Sequence, residues 1–196
     1  MIEDLPLFPL NAVLFPGGRL PLRIFEQRYL GMVKVCLREE APFGVCLIRE
    51  GKEVGAAATP ENVGCLARLA SWDMPQLGVL QVEARGEQRF RILERRVQAD
   101  GLARARVQTI GADTDAVVPD SYRACVSLLE QLIERHASLF DKPYRLDSAS
   151  WVSARLAEIL PVSLAAKQKM LELDDGLVRL EILHRFLAQH RPARGR

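Results

Sequence analysis

The spacing of apolar residues changes period partway along the chain, and that change decides what each half can become. Up to about residue 110, apolar and polar side chains alternate, which puts one face of a strand in a core and the other in water. Leu20, Leu22 and Ile24 alternate with Arg19, Pro21 and Arg23. Leu80, Val82 and Ala84, then Phe90 and Ile92, alternate with Gln81, Glu83, Arg85, Glu87, Arg89 and Arg91, whose side is expected to stay wet. Leu102 to Ile110 alternates again, and Phe43 to Ile48 is a continuous apolar run expected of a strand buried on both faces. Gly86-Glu87 fits a hairpin turn, although one long bent strand keeps the same phase. Five or six strands result, enough for a closed or nearly closed barrel.

One helix interrupts them. Tyr29, Met32, Val33, Cys36 and Leu37 recur at helical spacing, which predicts a helix from about Glu26 to Glu39, ended by Pro42. Turn-forming residues from Gly111 to Pro119 then break the two-residue period, and everything after them reads helical. Tyr122, Val126, Leu129, Ile133, His136 and Phe140 form one stripe, and Val152, Leu156, Ile159 and Leu160 form a second, stopped by Pro161. Ser163 is placed to cap a short third helix through Leu171, and Asp174 a fourth built on Leu177, Leu180, Leu183, His184 and Leu187. The expected fold class is α+β, with a β-rich unit over residues 1–111 and a helical bundle over 119–196. The terminal Arg191-Pro192-Ala193-Arg194-Gly195-Arg196 reads as a frayed tail.

Composition narrows the function. At 48% apolar and 27% charged over 196 residues, the chain can bury a core, which excludes disorder as its main state. A formal charge of +2 is too small to pull the whole molecule onto nucleic acid or an anionic membrane. Cys36, Cys46, Cys65 and Cys125 each sit among apolar neighbours with no C-x-x-C spacing, so buried thiols are expected in place of disulfides or zinc. The acidic Met1-Ile2-Glu3-Asp4 start lacks the basic region of an export signal, and no uninterrupted apolar run is long enough to span a bilayer; a cytoplasmic protein without a membrane partner is expected.

Catalytic patterns are missing too. Gly51-Lys52 is followed by Glu53, with no glycine placed upstream to build a phosphate loop, and no G-x-S-x-G elbow occurs. His136 and His184 fall on apolar helical stripes and read as partly buried packing residues. The expectation is a chain with no catalytic residue, no metal ligand and no cofactor. One charge feature remains. Seven arginines at 85, 89, 91, 95, 96, 104 and 106 outnumber Glu87, Glu94 and Asp100; a solvated, ion-paired sheet face explains them, and weak phosphate binding is the alternative.

Three stretches point to a family. Leu5-Pro6-Leu7-Phe8-Pro9-Leu10, Val13-Leu14-Phe15-Pro16-Gly17 and Leu20-Pro21-Leu22-Arg23-Ile24-Phe25-Glu26-Gln27-Arg28-Tyr29 together resemble the opening of the N-terminal, substrate-binding domain of Lon proteases, most closely the short bacterial proteins made of this domain alone. Val82 to Ile92, with its Gly86 and its arginines, looks like the family's second hallmark, and Leu160-Pro161-Val162 with Lys167 to Glu172 is similar to its helical part. The resemblance implies a PUA-like pseudo-barrel with one inserted helix, followed by a helical bundle. It also implies substrate handling without the ATPase and serine-lysine protease modules that full-length Lon carries, and hence a link to protein quality control.

Three classes of function follow: a binding module for unfolded or apolar protein segments, working with a separate ATPase or protease; an RNA-binding module of PUA-like type on strands 85–106, binding weakly if at all; and a hydrolase, ranked last for want of a nucleophile and base. The candidate peptide-binding residues are Phe15, Phe25, Glu26, Gln27, Arg28, Tyr29, Trp72 and Met74, which stand near turns or element ends where large side chains are less often fully buried. The expected focus is the start of the first helix.

Overall fold

The computed structural model describes residues 1–190, and the tail from Arg191 lies outside the described residues. The described residues divide into two compact units, one comprising Met1–Ala112 with Ser163–Leu171, the other Asp113–Val162 with 172–190.

The first unit holds strands β1 (Ile2–Leu10), β2 (Arg19–Ile24), β3 (Phe43–Glu50), β4 (Thr59–Pro60), β5 (Val63–Gln76), β6 (Val79–Val97) and β7 (Ala103–Thr109), with helix α1 (Gln27–Glu39) between β2 and β3. Neighbours pair in the order β1-β7-β6-β5-β3, and β3 returns to β1 through a parallel register, Leu7 opposite Gly44 to Leu10 opposite Leu47. The pairings therefore form a closed circuit of five strands. β2 lies off it, paired to β6.

A circuit this small leaves little room inside. Phe90 fills it with Leu5, Leu7, Cys46, Leu66, Ala105 and Val107. A second core lies toward α1, where Phe8, Leu10, Ile24, Tyr29, Met32, Val33 and Cys36 meet. The two-residue period of β1 feeds both cores: Leu5 and Leu7 point one way, Phe8 and Leu10 the other.

Gly86 is not a hairpin turn. β6 runs through it as one strand of 19 residues, and there it exchanges β2 for β7 as its partner. A Cβ at Gly86 would lie 2.2 Å from the Phe15 carbonyl oxygen, so glycine is what lets the 15–18 loop cross the strand. Gly17 N–H donates to the Gly86 carbonyl at 2.7 Å, and Gly86 N–H to that of Gly18 at 2.9 Å.

Several other expectations are corrected. Arg89 is buried and not on a wet face: its Nη1 donates to the Leu171 carbonyl at 3.0 Å and its Nη2 to that of Gly111 at 3.3 Å. Those bonds, with Gln168 Nε2 donating to the Val63 carbonyl at 3.0 Å, hold helix α4 (Leu164–Glu172) to the strands. The third helix of the expected 119–196 bundle thus belongs to the first unit. α1 ends before Pro42, because Glu40 turns into the left-handed region at φ 50° after Glu39, and Leu37 lies exposed off the buried stripe.

The second unit contains α2 (Arg123–Arg135), α3 (Ala149–Ile159) and α5 (Gly176–Gln189). Ser148 caps α3 by accepting the Trp151 N–H at 3.0 Å. Asp175, one residue beyond the expected Asp174, caps α5 by accepting from Leu177 and Val178 N–H at 2.8 and 3.1 Å. Arg179 is wholly buried, ion-paired with Asp113 and donating from Nε to Ser153 Oγ at 3.1 Å. His136 lies exposed just past the end of α2, off the apolar stripe assigned to it, while His184 is half-buried, edge-on to Tyr122 at 5.2 Å. All four cysteines are free and buried.

Candidate functional site

β2 ends at the buried Ile24, and the chain turns through Phe25 and Glu26 into α1. Glu26 occupies the capping position, where its carbonyl accepts from Tyr29 and Leu30 N–H at 3.0 and 2.9 Å. Its carboxylate is turned elsewhere, to an ion pair with Arg28 at 3.0 Å. Arg28 is buried despite its charge. Nη1 donates to the Gly101 carbonyl at 3.2 Å, and the guanidinium carbon lies 4.6 Å from the Tyr29 ring centroid. Tyr29 in turn stacks on Phe8 with centroids 4.1 Å apart, and burial pushes its hydroxyl above the ordinary tyrosine range, helped by Glu26 and Glu53 and opposed by Arg28.

Two grooves flank this helix start. One, of about 330 Å³, runs along β2 between Phe8, Leu10 and Tyr29, with Phe25 and Val54 on its margin. The other, of about 450 Å³, lies between the Gln27–Glu39 helix, the start of β1 and the β6–β7 connection, and includes Met32, Val35, Leu5, Leu102, Asp4 and Arg104. Asp4 is held there by Arg104 at 2.9 Å and Arg96 at 2.8 Å. Burial alone would raise the Asp4 carboxyl; the two guanidiniums outweigh it and hold it below the ordinary value.

The expected site residues separate on this geometry. Phe15 is fully buried, because the crossing of its loop over Gly86 takes it inward, and its placement as surface is corrected. Arg28 and Tyr29 are buried as well, as supports of the helix start. Phe25 is 50% exposed, Gln27 is exposed and Glu26 half-buried, so these three remain reachable. Trp72 and Met74 are exposed at 58% and 47%, but on the outer half of β5; the register row Leu22, Val82, Trp72 puts Trp72 two strands away from β2. The sequence reading missed the groove under the other flank of α1. Its charged wall combines Asp4 with arginines about a hundred positions later, and no local pattern signals that pairing.

The arginines of 85–106 are largely engaged within the unit. Arg89 is buried, Arg96 and Arg104 bind Asp4, Arg106 pairs with Glu94 at 3.4 Å, and Arg95 Nη1 donates to the Ala58 carbonyl at 2.9 Å. Among the described residues no group of three or more His, Cys, Asp or Glu is placed to hold a metal ion, and no helix is long and apolar enough to cross a membrane.

The chain as a whole is similar to known proteins. A solved Lon N-terminal domain protein from Xanthomonas campestris matches at 36% identity and a TM-score of 0.78, over 97% of this chain and all of that one. The Lon protease of Anaeromyxobacter dehalogenans is 25% identical over 196 residues, 95% of this chain and 23% of that protein. Protein cereblon of Gallus gallus is 29% identical over 145 residues, 72% of this chain and 30% of that protein. The chain thus spans less than a third of either curated relative. Residues 4–189 match the family model of the ATP-dependent protease La (LON) substrate-binding domain, and the chain belongs to that family.

Proposed function

We propose that this chain is a non-catalytic module that binds unfolded or apolar protein segments, at the start of α1 and its adjoining turns, in the service of protein quality control alongside a separate ATPase or protease. The observation that carries this reading is the groove beside β2. Its floor is apolar, and Phe25 and Val54 stand on its margin at 50% and 55% exposure, apolar area beyond what the core uses. The closed circuit with one inserted helix supports a pseudo-barrel of PUA-like type. Engagement of the 85–106 arginines within the unit argues for protein over nucleic acid as the ligand.

A shallow groove of this kind suits many clients at modest strength. An affinity near micromolar corresponds to about 8 kcal/mol, within reach of a few aromatic contacts and hydrogen bonds. The test is titration of one labelled polypeptide in a permanently unfolded and a folded form. The unfolded form is expected to bind near micromolar and the folded form much more weakly; equal binding of both, or none, overturns the reading.

A further inference from the structure

The outer edge of β2 carries a more specific consequence. β2 pairs β6 without interruption from Arg19 opposite Arg85 to Ile24 opposite Leu80, and among the described residues no other strand pairs with it. In an antiparallel ladder the backbone groups of successive residues point alternately toward the partner and away from it. Pro21 has no N–H to give, and it lies opposite Glu83 inside this regular ladder, so it occupies an outward position. Leu20, Leu22 and Ile24 therefore bond to β6, while the Pro21 carbonyl and the N–H and carbonyl of Arg23 face outward.

The groove follows that edge. Every residue from Leu20 to Ile24 lines it, in both parities. A pocket lying over the face of a sheet meets alternate residues of a strand; one that meets all five runs along its side. The groove thus joins an apolar floor of Phe8, Leu10 and Tyr29 to a row of outward backbone groups at strand spacing.

We propose that an extended peptide adds to this edge as a further strand opposite β6, with alternate apolar side chains in the groove and a basic residue at the end near Glu26 and Glu53. This rests on the peptide-binding reading and specifies its mode. An extended backbone fits because outward groups two residues apart match the period of a strand, whereas a helix satisfies its own amides internally. Charge selects the end residue. Glu26 and Glu53 both line the groove where β2 gives way to α1; Arg28 is turned to Glu26 and Gly101, and Arg23 lines the groove from β2 as its one cation among the described lining residues. Glu53 accepts the Asn11 N–H at 2.5 Å, a neutral donor.

The test uses a short peptide alternating apolar residues with serine and ending in lysine, titrated calorimetrically against the full chain. N-methylation of alternate amides in one parity is expected to weaken binding about tenfold, and in the other parity to leave it unchanged. Arg23→Pro, which removes an outward N–H and no bond to β6, is expected to weaken binding about tenfold, while Arg23→Ala retains it; thermal unfolding of both variants checks that the fold persists. Equal binding of both methylated series overturns strand addition while leaving the peptide-binding reading intact. Equal binding of a peptide ending in glutamate overturns the basic end. If the unfolded polypeptide binds but no short peptide does, the β2 edge is not the site; if neither binds, both proposals fall.

Discussion

The Phe90 ring occupies the space a side chain would need at Gly64: a Cβ on Gly64 would lie 2.7 Å from Phe90 Cζ and 2.5 Å from the Val45 carbonyl oxygen. A backbone oxygen cannot rotate away as a side chain can. Gly64→Ala is therefore expected to destabilise the chain by about 3 kcal/mol, the upper part of the range for overpacked cores. At Gly44 the near atoms are side-chain carbons of Phe90, Leu7 and Leu5, at 2.7 to 2.9 Å, and Gly44→Ala is expected to cost about 1–2 kcal/mol. Urea unfolding of the two variants compares them, and a larger loss at Gly44 contradicts the account.

Arg179 is the matching buried feature of the second unit. Removing its charge breaks the ion pair that Arg179 makes with the mostly buried Asp113, so Arg179→Met is expected to destabilise by about 3 kcal/mol. The double variant with Asp113→Leu recovers much of that loss, since neither charge is then stranded. Thermal unfolding of the single and double variants decides it; no recovery contradicts this assignment.

Asp115 links the second unit to pH. Burial pushes its carboxyl up, but hydrogen bonds from Ser150 N–H, Ser148 Oγ and Ala116 N–H, with the charge of Arg145, pull it below the ordinary value. A carboxyl lowered on folding contributes stability in full above its unfolded value, near 4, and loses it as pH falls through the folded value. Asp115→Asn is expected to lower the melting temperature at neutral pH and to flatten its decline below about pH 4. An unchanged acid limb contradicts the prediction.

The thiols are expected to be inert. Burial pushes Cys46 far above the ordinary thiol range, Cys125 up to about 11 and Cys36 upward, so little thiolate is present at neutral pH. A thiol-specific reagent is expected to leave the native protein unmodified and to label all four cysteines after unfolding. Rapid labelling of the native protein contradicts it.

Much of this architecture was legible because the responsible forces are local. Period two placed Leu20, Leu22 and Ile24 on one strand, and helical spacing found Tyr29, Met32, Val33 and Cys36 on one face of α1. The failures arise where a distant partner overrides the local pattern. Arg89 occupies a polar position of an alternating strand yet is buried, because the Leu171 and Gly111 carbonyls receive it. Phe15 reads as a turn residue and is drawn inward where its loop crosses Gly86. At the start of the first helix, Phe25 and Gln27 are exposed and Glu26 half-buried, as their place at an element end suggests, whereas Arg28 and Tyr29 hold the helix start together through Glu26, Gly101 and Phe8.

Amide hydrogen exchange, with and without a saturating unfolded polypeptide, reads occupancy of the β2 edge residue by residue. Slowed exchange is expected to be confined to β2 and the turn through Phe25 and Glu26, led by the outward Arg23 amide, with the outer half of β5 around Trp72 and Met74 unaffected. Protection confined to the Trp72 region or to the arginines of 91–106, with the β2 edge exchanging as in the free protein, would contradict it.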